Sequence, residues 1–150
     1  MSTLTELYDQ DFYAWTQRNA DLLRQGRAAE IDLEHLAEEI EEMGKEQRHA
    51  LRSQLRRLLV HLLKLQFSPA TAPRPGWIEE VQNAHAEIAD RLADNPSLRP
   101  QMPFLFAEIW PRSSRQAIES LRAYGEQPTI PQTCPFTLEQ ALDDDFRPQR

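Results

Sequence analysis

The sequence predicts an all-α protein: a helical bundle of about five helices around one long central helix, with an extended, proline-containing C-terminal tail and a short final helix. Three observations carry this. Apolar residues recur at three- and four-residue spacing over most of the chain, which is the period of one helix face. Only 4 glycines occur in 150 residues, and long stretches rich in Leu, Ala, Glu, Arg and Gln favour helix. No segment alternates apolar and polar residues as a half-buried strand does, and neither an internal repeat nor a low-complexity tract is present.

At this length one domain, residues 1–150, is the default, with a core large enough to need no metal or disulfide staple. A hydrophobic fraction of 40% with 27% charged residues is ordinary for a globular protein. The net charge of −7 argues against a surface that coats nucleic acid or anionic membrane as a whole, although a local basic patch is compatible with it. No apolar run reaches the ~18 residues of a membrane span, and MSTLTELYDQDFYAW lacks the regions of a signal peptide, so a cytoplasmic location is expected. The lone Cys134 agrees with a reducing compartment.

In chain order, residues 1–8 give little signal, and Asp9 is a candidate cap for a helix over Gln10 to Gln25. Phe12, Trp15, Asn19, Leu22 and Leu23 lie at helical spacing, its aromatic residues are expected core anchors, and Gly26 is its stop. The central helix runs from Asp32, its candidate N-cap, to Phe67. At about 100° per residue, Leu33, Leu36, Ala37, Ile40, Met43, Leu51, Leu55, Leu58, Leu62 and Leu65 fall on one face. That phase persists through Gly44, which favours one helix, kinked there at most. A hairpin at Gly44 is the alternative, because glycine inside a helix costs about 1 kcal/mol relative to Ala.

Charge divides this helix sharply. Asp32, Glu34, Glu38, Glu39, Glu41 and Glu42 precede Gly44, while Lys45, Arg48, Arg52, Arg56, Arg57 and Lys64 follow it, an order that suits the helix dipole. SPATAPRPG is a connection. Trp77, Val81, His85, Ile88 and Leu92 form the next stripe, which ends at Asn95-Pro96. After the loop PSLRPQMP, Phe104, Leu105, Ile109, Ala117, Ile118, Leu121 and Tyr124 fit a helix to Gly125 that Pro111 must kink or split. The tail begins extended, and TLEQ is a capping box that opens a short helix from Leu138 to about Asp143.

LYDQDFYAWT, LAEEIEEMGKEQRHAL, LRRLLVHLLKLQF, PSLR and CPFTLEQAL together resemble the bacterial domain of unknown function 29 family over nearly the whole chain. The resemblance implies an all-helical bundle and supplies no catalytic residues.

His35, Glu38, Glu39 and Glu42 have the spacing of a metal site, but the wheel puts them opposite the apolar stripe, so a solvated acidic face is expected. His61 flanks the leucine stripe and could serve as a general base, yet no nucleophile elbow, metal-ligand pair or phosphate-cradling glycine loop accompanies it. Neither a cofactor nor a metal is called for. The candidate binding residues are the ridge Arg48, Arg52, Arg56 and Arg57 with His61 and Lys64, residue types suited to phosphate or carboxylate. The competing reading pairs this ridge with the protein's own acid, including Asp143, Asp144 and Asp145. The regularities favour a non-catalytic scaffold or protein-interaction module whose partner is another protein or a second copy. Nucleic-acid binding through the ridge comes second, and a hydrolase or metal-dependent enzyme third.

Overall fold

Thr3 sets the first helix. Its hydroxyl accepts the Glu6 amide at 3.1 Å while the Glu6 carboxylate accepts the Thr3 amide at 2.7 Å, a closed capping box. The computed structural model describes residues 2–149, and α1 occupies Leu4–Gln10. Asp11 then breaks the backbone, and its carboxylate accepts the Ala14 amide at 3.0 Å to cap α2, Phe12–Arg24. The helix expected over Gln10 to Gln25 is thus α2, capped by Asp11 rather than Asp9, and a further helix, α1, precedes it where residues 1–8 gave little signal. Gly26, at φ 69°, ends α2 in a Schellman turn, the Arg27 amide reaching the Leu22 carbonyl at 2.9 Å.

The chain divides into two compact units, Met1–Glu46 and Gln47–Arg150. Helix α3, Leu33–Phe67, runs unbroken past Gly44 and contributes its first turns to one unit and the remainder to the other. Gly44 is thus not a hairpin turn.

In the first unit the packed residues are aromatic and polar rather than aliphatic. Trp15 and Asn19 are both buried. Trp15 Nε1 donates to the Asp32 carboxylate at 3.0 Å, the Asp32 amide donates to Asn19 Oδ1 at 3.1 Å, and His35 Nδ1 contacts Asp32 Oδ2 at 2.8 Å. The Tyr8 ring stacks on His35 with centroids 4.0 Å apart, and its hydroxyl donates to Glu39. His35 and Glu39 therefore belong to the packed face, whereas Leu33, Ala37, Ile40 and Met43 lie exposed. Leu36 is half-buried beside His35 and Glu39, so the packed face of the first turns of α3 is the expected one turned by about one residue. The leucine phase was set by the second half of the helix, and the first unit packs through rings and hydrogen bonds that a wheel weighted by hydrophobicity does not register.

The second unit holds the aliphatic core. Leu51, Leu55, Leu58, Leu62 and Leu65 are buried as expected, and Leu59, Val60 and Leu63 are buried as well, so α3 is covered on several sides here. Pro75 stands in the first turn of α4, Arg74–Asp94, which therefore starts inside the proline-rich connection, since a proline costs no hydrogen bond at that position. PSLRPQ forms a 3-10 turn, Pro96–Gln101, and α5, Met102–Ala123, continues through Pro111 without splitting. Gly125, at φ 83°, closes α5 with a second Schellman turn, Glu126 amide to Leu121 carbonyl at 3.1 Å. The Thr137 capping box forms and opens α6, Leu138–Leu142.

The tail packs back on the second unit. Buried His85 Nε2–H donates to the Ala141 carbonyl at 2.7 Å, Trp110 Nε1 to the Gln132 carbonyl at 2.7 Å, and Arg74 to the Pro148 carbonyl at 3.2 Å. The described residues are all-α, with six α-helices and no strand. Among them no helix is long and apolar enough to cross a membrane.

Candidate functional site

The basic ridge of α3 divides into two faces because adjacent helix residues point about 100° apart. Arg57, His61 and Lys64, at i, i+4 and i+7, form one face, and Glu80 of α4 meets it. Arg48, Arg52 and Arg56, at successive i+4 steps, form the other with Glu108 of α5.

On the first face Arg57 Nε donates to Glu80 at 2.6 Å. That hydrogen bond holds the guanidinium above its usual range and the carboxyl below its own. His61 Nδ1–H donates to the Arg57 carbonyl at 2.6 Å, which leaves Nε2 as the free ring nitrogen. Burial pushes this imidazole below its ordinary range, opposed by the bond to the backbone and reinforced by the Lys64 charge. Burial likewise lowers Lys64, whose ammonium lies 5.9 Å from the Trp77 ring centroid.

The second face opens into a groove of about 610 Å³ between α3 and α5, lined by His49, Arg52, Arg56, Glu108, Arg112 and Arg115 among others. Helical spacing builds it from both sides. His49, Ser53 and Arg56 repeat at i, i+4 and i+7 on α3, and Glu108, Arg112 and Arg115 repeat the same way on α5. Glu108, the one carboxylate of this lining, is already engaged by Arg48 at 3.5 Å and Arg52 at 3.6 Å. Arg48 also donates to Gln101 at 3.1 Å. Arg56, Arg112 and Arg115 take part in no ion pair among the described residues. Buried Arg52 Nε has no hydrogen-bond partner among the described residues.

Such a groove can receive oxyanions, since a guanidinium presents paired N–H donors matched to two oxygens of a carboxylate or phosphate. Clustered unpaired cations repel one another, and an arriving anion relieves that repulsion. The ridge is thus partly satisfied internally, as the competing reading had it, but by Glu80 and Glu108. Of the tail acids, Asp144 instead stands 3.1 Å from His85 Nδ1.

Arg112 and Arg115 escaped the sequence reading. Their signal was their i, i+3 spacing just after Pro111, legible only once α5 was known to continue through that proline. His35, Glu38, Glu39 and Glu42 do not form a metal cluster, and none of three or more His, Cys, Asp or Glu occurs among the described residues. Burial pushes the Cys134 thiol up, away from the thiolate that a nucleophile needs.

No curated protein and no solved structure matches the chain. The family model described as "Domain of unknown function DUF29" matches residues 7–147. With that match across nearly its whole length and the all-helical fold that the motifs implied, the chain belongs to the DUF29 family.

Proposed function

We propose that this chain is a protein-interaction module, a non-catalytic scaffold that receives an acidic segment of a partner protein in the groove between α3 and α5. The observation that carries the reading is the surplus of cation there: among the described residues Arg56, Arg112 and Arg115 form no ion pair, beside one carboxylate that is already shared by two other arginines. Bidentate guanidinium–carboxylate contacts would fix the segment's register.

Magnitude separates this from the nucleic-acid reading. Sequence-independent binding to a duplex comes from many phosphate contacts summed along the backbone, whereas the groove offers three guanidiniums outside any ion pair among the described residues and the chain carries −7 overall. Arg57, which would have to extend a phosphate track, is committed to Glu80.

Fluorescence anisotropy with a short Glu- and Asp-rich peptide, and in parallel with duplex DNA and single-stranded RNA, tests the assignment at fixed low salt. Peptide affinity should fall by about tenfold or more in the Arg56→Glu, Arg112→Glu double variant. Unchanged peptide binding in that variant would remove the groove as the site. Tighter binding to nucleic acid than to peptide would favour the other reading.

A further inference from the structure

A second, more apolar cavity of about 700 Å³ lies elsewhere on the second unit, where the end of α3, the Ser68–Pro73 connection, the start of α4 and the end of α5 meet. Pro69, Pro73, Trp77 and Tyr124 give it apolar and aromatic walls, Ser120 adds a hydroxyl, and Lys64 supplies its one cation. A volume of this size, mostly apolar with a few polar groups, is that of a small-molecule site.

The polar groups are unequally occupied. Glu126 also lines the cavity, but its carboxylate already accepts the hydroxyl of buried Ser68 at 2.7 Å. Lys64 makes neither an ion pair nor a side-chain hydrogen bond among the described residues, and its ammonium stands over the Trp77 ring. Glu80, committed to Arg57, attracts Lys64 without bonding it, and a half-buried ammonium beside a ring has lost hydration that an anion would replace.

We propose that this cavity binds an aromatic carboxylate, with the acid group on Lys64 and the ring body against Trp77, Tyr124 and the proline edges. Charge sets the orientation, because the Glu126 carboxylate repels the ligand's acid group from its own part of the wall and Lys64 attracts it. A neutral ligand would gain the walls without the Lys64 contact, and an organic cation would meet an ammonium. This site shares no residue with the groove between α3 and α5, so it stands or falls independently of the function proposed above.

Isothermal titration calorimetry with 2-naphthylacetate and its neutral counterpart 2-naphthylacetamide tests it on the full chain. The acid should bind about tenfold more tightly than the amide, as a charge-assisted contact gives. Lys64→Met keeps most of the aliphatic stem and should erase that preference. Tyr124→Ala, at a residue 83% exposed and so dispensable for folding, should weaken both ligands. Circular dichroism confirms that each variant is folded. Equal binding of acid and amide, a preference that survives Lys64→Met, or no heat from either ligand with the wild-type protein would overturn the proposal. So would a proline-rich peptide that displaces the acid and binds Lys64→Met as well as wild type, since the cavity would then be a peptide groove.

Discussion

Replacing Gly44 with alanine should stabilise the protein. Gly44 lies inside α3 with ordinary helical backbone, and a Cβ added there meets nothing within 4 Å. No clash therefore offsets the gain from restricting the unfolded chain and improving helix propensity, about 0.5–1 kcal/mol for Gly→Ala at an exposed helical position. For a chain of this size that raises Tm by about 1–4 °C if unfolding is cooperative. Differential scanning calorimetry and urea titration read the change. Gly44→Pro is the counterpart: it removes a helix hydrogen bond and clashes with the preceding turn, at a cost of about 3 kcal/mol or more. Destabilisation by Gly44→Ala would refute the reasoning, because alanine is unfavourable at Gly44 only if the backbone there needs the left-handed conformation of a turn.

Leu58→Ala removes a fully buried side chain from the middle of α3 and should cost about 2–5 kcal/mol in urea unfolding, against less than about 1 kcal/mol for Arg57→Met, whose Glu80 pair is partly exposed. The hydrogen bond to Asp32 raises His35 above its ordinary range, so the first unit favours the imidazolium. That contribution is complete below about pH 6.5 and is lost as pH rises through the raised value. Hydrogen-exchange free energies of α1 and α2 amides should fall over that rise, and His35→Gln should flatten the fall. His61 works the other way, because burial lowers it. Its contribution is present above its ordinary value of about 6.5 and is lost as pH drops through the lowered one, a trend that should appear in α3 amides near His61 and vanish in His61→Phe.

Helix content and the leucine core of the second unit were legible because burial there follows the 3.6-residue period, from Leu51 to Leu65 and from Val81 to Leu92. Caps built from adjacent residues were legible for the same local reason, as at Thr137 and Gly125. The first unit was not, because its order rests on Trp15, Asn19, Asp32, His35 and Tyr8 bonding across helices, and polar residues at a packed face look like solvated ones in a sequence. The candidate site was half legible. Arg48, Arg52 and Arg56 were visible as one helical row, but nothing local shows that Glu80 would engage Arg57 or that Arg112 and Arg115 would stand across from Arg56. Those pairings depend on how α3, α4 and α5 pack, which is tertiary information.

The central claim is that the unpaired guanidiniums of the α3–α5 groove, and not the ridge as a whole, bind the partner. Arginine Nε–Hε signals in NMR spectra of the protein, followed during titration with the Glu- and Asp-rich peptide, test it most directly. The account predicts that the Arg56, Arg112 and Arg115 signals shift with the peptide while the Arg57 signal, fixed by Glu80, stays in place. Shifts at Arg57 with none at Arg56, Arg112 and Arg115, or no shift at any arginine, would contradict it.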